Sequence, residues 1–237
     1  MPFRLVPARD RKLHRLVRKA PVVTRPKNAR IYAPGDPADE VFLVRKGVVR
    51  LVLPGMEQGR GERTVGLALP WEMFGDEGLT AGHRRYGAVA GTACVVHPLP
   101  TQSVLHGLKT ARSSLDAYLR GVERELHRLR HAQGGSAGPS APQRVAEVLL
   151  DLAERCGERE GRTIVLSERL THQVIADLAG AHRATVTTLL NDWLYDGILA
   201  SDDDHHLVLA RPTDLWVLAG YDGAGVSSSV DPHPLNP

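Results

Sequence analysis

Nine consecutive small or helix-breaking residues, Gly134 to Pro142, separate two parts of the chain that differ in pattern. Gly, Ser, Ala and Pro bury little apolar surface and hold no regular helix, so this segment predicts a hinge between domains. A chain of 237 residues is long enough for two modest domains. We therefore expect an N-terminal domain at 1–107, a long helix at 108–133, a hinge at 134–142, a second domain at 143–219 and a disordered tail at 220–237.

Charge is distributed unevenly along the chain. Residues 1–138 carry 23 Lys and Arg against 12 Asp and Glu, whereas residues 139–237 carry 7 against 15. Such asymmetry is typical of proteins with a polyanionic partner, although a solvated basic surface gives the same counts. The longest apolar-leaning stretch, 88–96, is far shorter than the roughly 18–20 residues of a membrane span. The frequent charges of the N-terminal segment also predict that it is not a secretory signal. With two distant cysteines and no metal-ligand spacing, the sequence predicts a cytoplasmic protein without membrane, disulfide or metal.

Strand signals dominate before the hinge. Apolar runs at 41–44 and 48–53 flank the break Arg45-Lys46-Gly47 and suggest a β-hairpin. Further strand candidates lie at 64–69 and 88–97. Many short strands at close spacing predict a sandwich or jelly roll.

A seven-residue repeat follows the strands. Leu108, Leu115, Val122 and Leu129 recur every seven residues, and Leu119 and Leu126 are interleaved with them. A helix packed on its own domain shows a broader stripe, usually of period 3.6. The strict repeat therefore favours a helix from about residue 109 to 131 that pairs with a second copy of the chain.

The part after the hinge has the outline of a winged helix-turn-helix. Apolar residues of period 3.6 between 145 and 152 indicate an amphipathic helix, and a strand-like run follows at 163–166. Two short helices flank Gly180. The runs 198–200 and 207–209, separated by a polar turn, predict a closing hairpin.

The two helices around Gly180 carry the sharpest local signals. Thr171 is a good N-cap, Ala176 is small enough for close helix contact, and Gly180 permits a tight turn. The second helix is anchored by apolar residues, which leaves four side chains outward near its N-terminal half: Arg183, Ala184, Thr187 and Thr188. In a helix-turn-helix these positions meet base edges in the major groove. An ordinary helical hairpin is the alternative interpretation.

These residues, together with the strand-rich half and the repeat helix, resemble the CRP/FNR superfamily of bacterial transcription regulators. The resemblance covers roughly residues 25–210 and is strongest over 171–199; in the N-terminal half it rests on Gly35, Gly47 and Phe74-Gly75-Asp76. It implies an α+β fold with an N-terminal β-roll of the cyclic-nucleotide-binding type, with eight strands, a long dimerisation helix and a C-terminal winged helix-turn-helix domain. It also implies a homodimer that binds double-stranded DNA at a two-fold symmetric operator and activates transcription by contacting RNA polymerase.

The resemblance assigns DNA contacts residue by residue. Arg183 lies where the family's guanine-reading arginine lies, and its planar fork suits O6 and N7 of guanine. Ala184 and Thr188 replace other base-reading residues of the family, so the operator is expected to differ outside a shared guanine. Phosphate contacts are expected from Thr171, His172, Gln173, His182 and Thr185.

The effector pocket implied by the resemblance departs from the family pattern. Gly75 and Asp76 match the loop that holds phosphate and ribose, with aspartate in place of glutamate. The family's Arg-Ser pair, which meets the cyclic phosphate, corresponds to Tyr86-Gly87, and its adenine-reading Thr-Ser pair corresponds to Leu129-Arg130. The pocket is therefore expected to be degenerate, with no cofactor required and cyclic AMP not bound in the usual pose. A cyclic-AMP-responsive regulator in which Arg84 or Arg85 takes the phosphate is the alternative.

Two other classes of function compete with a regulator. A cupin-like β-roll enzyme needs two or three histidines and a carboxylate on one metal, whereas the strand region offers only His83 and His97 without His-x-His spacing. We therefore expect no catalytic residues. A ligand-sensing or scaffold module with a vestigial helix-turn-helix stays open, since DNA binding alone separates it from a regulator.

Overall fold

The computed structural model describes residues 3–4, 17–54, 61–80, 82–132 and 138–221, without the side chains of 3, 4, 114, 117, 124, 125 and 127–132. The chain forms two compact units, 1–133 and 134–237. Each unit is described by itself.

Nine strands run through the described part of the first unit. They are β1 (Phe3–Arg4), β2 (Val23–Arg25), β3 (Arg30–Tyr32), β4 (Glu40–Lys46), β5 (Val49–Leu53), β6 (Arg63–Ala68), β7 (Glu72–Phe74), β8 (Gly87–Ala90) and β9 (Cys94–Pro100). One antiparallel sheet has the order β1-β7-β4-β9-β2, and the other has the order β3-β8-β5-β6. The predicted β-roll is confirmed.

The two sheets enclose one apolar core. Tyr32, Phe42 and Phe74 stack at its centre, with neighbouring ring centroids 5.3–6.1 Å apart. Aliphatic side chains from both sheets surround these rings, among them Val44 and Val49, which are fully buried. Offset aromatic packing of this kind adds about 0.5–1.5 kcal/mol per pair beyond the buried area. Three of the chain's few aromatic residues thus stabilise the core between the two sheets.

The predicted hairpin at Arg45-Lys46-Gly47 is wrong. Strand β4 pairs with β7 and β9, whereas β5 pairs with β6 and β8, so the break carries the chain from one sheet to the other. Gly47 has φ 79°, and a Cβ added there would lie 2.4 Å from the carbonyl oxygen of Ala93. Only glycine fits this corner, since it needs both a left-handed backbone and a close approach. Two apolar runs around a glycine look alike whether they form a hairpin or such a corner.

The repeat helix is two helices, α1 (Thr101–Thr110) and α2 (Arg112–Ala132), because Ala111 has an extended backbone. Leu108 therefore lies in α1, where it is buried in a second apolar cluster of the first unit with Leu43 and Val104 rather than in a seam. The domain boundary predicted at residue 108 falls inside α1, which is a second correction. On α2 the side chains of Leu115, Leu119 and Leu126 are 41%, 53% and 46% exposed.

The second unit contains α3 (Ala141–Cys156), β10 (Gly157–Glu160), β11 (Thr163–Leu166), α4 (His172–Ala179), α5 (Arg183–Tyr195), β12 (Leu199–Ser201), β13 (Leu207–Leu209) and α6 (Pro212–Leu218). Its sheet has the order β10-β11-β13-β12. The wing hairpin β12–β13 is confirmed, with Leu199 opposite Leu209. Helix α6 was not predicted.

Helix α3 begins earlier than the sequence suggested. Ser140 and Gln143 form a capping box, in which Gln143 Oε1 accepts from the Ser140 N–H at 2.6 Å and Ser140 Oγ accepts from the Gln143 N–H at 3.4 Å. This cap starts the helix inside the segment assigned to the hinge, so 141–142 belong to its first turn. The apolar residues predicted for the helix are all buried: Val145, Val148, Leu149 and Leu152.

Most of the predicted tail, 222–237, lies outside the described residues.

Candidate functional site

Local hydrogen bonds fix the angle between α4 and α5. Thr171 caps α4, because its Oγ1 accepts from the Val174 N–H at 3.3 Å. Gly180 ends the helix in the left-handed conformation, with φ 57°. Helix α5 then begins at Arg183 after the N-cap His182. The cap, the turn and the start of the second helix all lie where the sequence predicted them.

The inner faces of both helices are apolar. Val174, Ile175 and Ala176 of α4 are buried, and Val186, Leu190 and Trp193 of α5 are buried as well. Burying this face of α5 leaves the opposite face of its N-terminal half in solvent. Arg183, Ala184 and Thr188 are exposed there. These three side chains form an exposed surface at the N-terminal half of α5, which we call the recognition surface.

Thr187 differs from the other three predicted base-reading residues. Its side chain is half-buried, and its Oγ1 lies 3.0 Å from Nδ1 of His172, which is also half-buried. This contact joins the first turn of α4 to α5. The hydroxyl of Thr187 is thus held within the protein. Thr188 likewise donates its hydroxyl to the Ala184 carbonyl at 3.2 Å, so this hydroxyl is also hydrogen-bonded within α5.

The other residues predicted to contact phosphate lie around the recognition surface. Thr171, Gln173, His182 and Thr185 are exposed. Gln173 donates from Nε2 to Asp177 Oδ1 at 2.7 Å, so one of the acidic groups near the surface is hydrogen-bonded.

Arg144 of α3 holds the helix-turn-helix in place, a role that the sequence analysis missed. Its Nε donates to the carbonyl of Ala179 at 2.7 Å, and its Nη2 donates to the carbonyl of Gly180 at 3.2 Å. Its Nη1 donates to the carbonyl of Pro139 at 2.7 Å. The carbonyls at the C-terminal end of a helix have no partner within the helix, so one guanidinium here satisfies several of them. The sequence shows a cation beside the apolar face of this helix, but not the carbonyl groups to which it donates.

The acidic wing is stabilised by its own turn. Asp202 accepts from the His206 N–H at 2.7 Å and lies 3.0 Å from its Nδ1. The backbone N–H of His206 lowers the pKa of Asp202, and its imidazole acts in the same direction. One carboxylate of the acidic run is thus used to shape the wing.

The effector pocket suggested by the sequence lies at the Gly75 loop of the first unit. Gly75 has φ 79°, and a short 3₁₀ helix, Asp76–Leu79, follows it. Asp76 is buried and accepts a hydrogen bond from the hydroxyl of Tyr118 on α2 at 3.3 Å. Burial, together with the charge and hydrogen bond of Asp76, raises the pKa of Tyr118 to about 12. The carboxylate expected to accept from a ribose already has an internal donor.

Arg84 is buried in the same pocket. Its Nη1 donates to the carbonyl of Gly75 at 2.6 Å, and its Nη2 donates to the carbonyl of Glu40. The guanidinium carbon lies 4.3 Å from the centre of the Tyr32 ring, and Nη1 lies 3.8 Å from the Glu77 carboxylate. Aromatic faces and a carboxylate both favour a buried cation.

The residues next to Arg84 lie before strand β8, which begins only at Gly87. Arg85 is exposed and Tyr86 is half-buried, which leaves Arg84 as the cation inside the pocket. The side chains of Leu129 and Arg130 lie outside the described residues. Glu77 and Tyr118, which contact Arg84 and Asp76, were missed by the sequence analysis. Tyr118 and its partner are 42 positions apart, and the contact of Glu77 depends on the burial of Arg84.

Two further observations bear on the class of protein. Among the residues with described positions, no group of three or more His, Cys, Asp or Glu is placed to hold a metal ion. In the same part of the chain, no helix is both long and apolar enough to cross a bilayer.

Comparison with protein families matches both units. Residues 22–110 match the cyclic nucleotide-binding domain, and residues 143–217 match the Crp-like helix-turn-helix domain. The chain is 33% identical over 183 residues to the Global nitrogen regulator of Nostoc sp.. The aligned region covers 73% of this chain and 78% of that protein. It is 28% identical to the CRP-like cAMP-activated global transcriptional regulator of Mycobacterium tuberculosis, over 73% of this chain and 76% of that one.

Solved structures give the same result for the fold. A CRP/FNR-family transcriptional regulator from Thermus thermophilus is similar with a TM-score of 0.61 and 28% identity, over 84% of this chain and 98% of that chain. FixK2 from Bradyrhizobium japonicum is similar in fold with a TM-score of 0.68 and 22% identity, over 84% of this chain and 96% of that chain.

Proposed function

Since the chain belongs to the CRP/FNR family of transcription regulators, we propose that it acts as a homodimer on a two-fold symmetric DNA operator and needs no cyclic nucleotide to bind it. The exposed N-terminal end of α5, with Arg183 at its first position, is the observation that carries this proposal. By analogy with the family, the dimer activates transcription in the bacterial cytoplasm through contact with RNA polymerase.

The exposed leucines of α2 support a dimer. Leu115, Leu119 and Leu126 are spaced by four and seven residues, which places them on one side of the helix. Apolar side chains that are each about half exposed in one chain are buried when two such helices pair. A second copy of α2 is the matching surface, since it presents the same stripe.

Arg183 dominates sequence recognition in this proposal. Its fork fits two acceptors of guanine, and one such contact contributes about 1–3 kcal/mol of discrimination. Ala184 and Thr188 are too short for paired hydrogen bonds with a base, and the hydroxyl of Thr188 already donates to the Ala184 carbonyl. The two half-sites then lie about one helical turn, roughly 34 Å, apart.

Independence from cyclic nucleotide follows from the Gly75 loop. Tyr118 already donates to Asp76, and two main-chain carbonyls already accept from Arg84. A nucleotide that enters must displace these contacts before it gains its own. A ligand that binds only the DNA-binding state at 100 times its Kd contributes about 2.7 kcal/mol to that state. In this protein, the free energy that favours the DNA-binding state comes from internal packing instead.

The test compares Arg183→Ala with Gln173→Ala on an operator selected from genomic fragments and on random DNA. At fixed salt, Arg183→Ala should weaken operator binding by about 1–3 kcal/mol per half-site and leave random DNA nearly unchanged. Gln173→Ala removes a phosphate contact and should weaken both alike. Arg162→Ala, at an exposed turn between β10 and β11, is the matched charge control.

Two results contradict the proposal. An unchanged ratio of operator to random affinity in Arg183→Ala shows that α5 is not the reading helix. A rise of more than about tenfold in operator affinity on adding cyclic AMP favours the cyclic-AMP-responsive alternative, in which Arg84 takes the phosphate.

A further inference from the structure

Three unpartnered polar atoms gather around the guanidinium of Arg84. Within the described chain, the buried side-chain atoms without a hydrogen-bond partner include Oη of Tyr32, Oε1 of Glu77 and Nε of Arg84. The side chains of Arg84 and Glu77 are only 2% and 8% exposed. A Cβ added to Gly75 would lie 2.7 Å from Arg84 Nη1 and 3.4 Å from Tyr32 Oη, so these groups converge on one point. We call this place the Arg84 pocket.

The charges in the Arg84 pocket oppose an incoming anion. A buried guanidinium needs a counter-charge, because it has lost its hydration. The Glu77 carboxylate, 3.8 Å from Nη1, supplies that charge from the turn directly after Gly75. Asp76 is a second buried acidic residue in the same turn. One cation beside two carboxylates leaves no positive charge for a phosphate.

We propose that Glu77 is the specificity-determining residue of this pocket: its carboxylate is the built-in counter-charge of Arg84 and excludes phosphate and carboxylate ligands. This inference rests on the proposed independence from cyclic nucleotide and gives the physical reason for it. Tyr118 has the parallel role toward Asp76, since its hydroxyl donates where a sugar hydroxyl otherwise would. Arg84 and Asp76 are thus both met by other side chains of the chain itself.

Removing the charge of Glu77 should turn the pocket into an anion site. In Glu77→Gln the guanidinium keeps its two main-chain acceptors but loses its nearest anion. An external anion then becomes the available counter-charge. The full-length variant should bind inorganic phosphate or cyclic AMP in calorimetric titrations at least about tenfold more tightly than the wild type. The wild type should give no saturable heat with either probe.

Controls separate a new site from a general change in charge. Glu62→Gln removes the same charge from a glutamate that pairs with Arg30 at the surface, at 2.5 Å, and should bind no anion. Arg84→Gln combined with Glu77→Gln should abolish the gained binding. Glu77→Ser is the second variant, since it removes the charge and leaves more room.

Three outcomes overturn the inference. The first is saturable wild-type binding of phosphate or cyclic AMP with the affinity of the variants. The second is an absence of binding in a folded Glu77→Gln or Glu77→Ser protein. The third is equal binding by the Glu62→Gln control. The titrations contain no DNA, so a failure of the operator experiment with Arg183 leaves this readout intact.

Discussion

Replacing Arg144 with methionine tests how the helix-turn-helix is held against α3. Methionine keeps the unbranched apolar stem and removes the guanidinium, so the change isolates the three hydrogen bonds to the carbonyls of Pro139, Ala179 and Gly180. Two of these bonds are partly buried and the third is exposed. After the substitution, the partly buried carbonyls lose a charged donor that water replaces only incompletely.

The expected loss of stability follows from these contacts. A hydrogen bond to a charged group contributes about 1.5–3 kcal/mol when it is protected from solvent. Counting the two partly buried bonds and discounting them for exposure gives about 2–4 kcal/mol for the second unit. For a domain of its size, each kcal/mol corresponds to roughly 4–8 °C in Tm, so the unit should melt at least about 8 °C lower.

Urea unfolding of the full-length protein, followed by tryptophan fluorescence, measures the effect. Trp193 is buried on α5 and reports on the second unit. Arg162→Met is the control, since it removes an exposed arginine of the same unit and should change the free energy of unfolding by less than about 0.5 kcal/mol. If Arg144→Met and Arg162→Met unfold alike, the three hydrogen bonds do not stabilise the unit and the reasoning is refuted.

Two further predictions concern α2. Leu119→Glu places like charges against each other where two copies pair, so it should shift the protein towards monomer in sedimentation. The control Val217→Glu, at a 64% exposed position on α6, should leave the oligomeric state unchanged. An unchanged dimer in Leu119→Glu contradicts the proposed interface. Because the folded-state pKa of Tyr118 is raised from 10.0 to about 12, the stability that depends on its protonated hydroxyl is fully present below pH 10 and is lost as the pH rises to about 12. The difference in unfolding free energy between wild type and Tyr118→Phe should shrink across that range, and a constant difference refutes the bond to Asp76.

The sequence by itself determined the elements whose signals are local. Thr171 caps α4 and Gly180 ends it, because a cap or a left-handed turn depends on residues within one helical turn. The wing hairpin and the buried stripe of α3 likewise follow from short-range periodicity. These signals sufficed to place the recognition surface, since Arg183, Ala184 and Thr188 face outward once the buried face of α5 is known.

Tertiary structure decided the features that join distant residues. Gly47 turns the chain between sheets because Ala93 approaches it, and no local pattern records that approach. The seven-residue repeat runs through Leu108, yet this residue packs into an apolar cluster of the first unit with Leu43 and Val104, because α1 ends at Thr110.

The Arg84 pocket and the Arg144 contacts were also beyond the sequence, for the same physical reason. The bond from Arg84 to Glu40 spans 44 positions, and the bond from Arg144 to Ala179 spans 35. The sequence shows that an arginine is present but not whether folding buries it against a carboxylate or leaves it in water. Burial by distant elements sets the local dielectric and the available partners, and these decide whether a charged side chain binds a ligand or stabilises the fold.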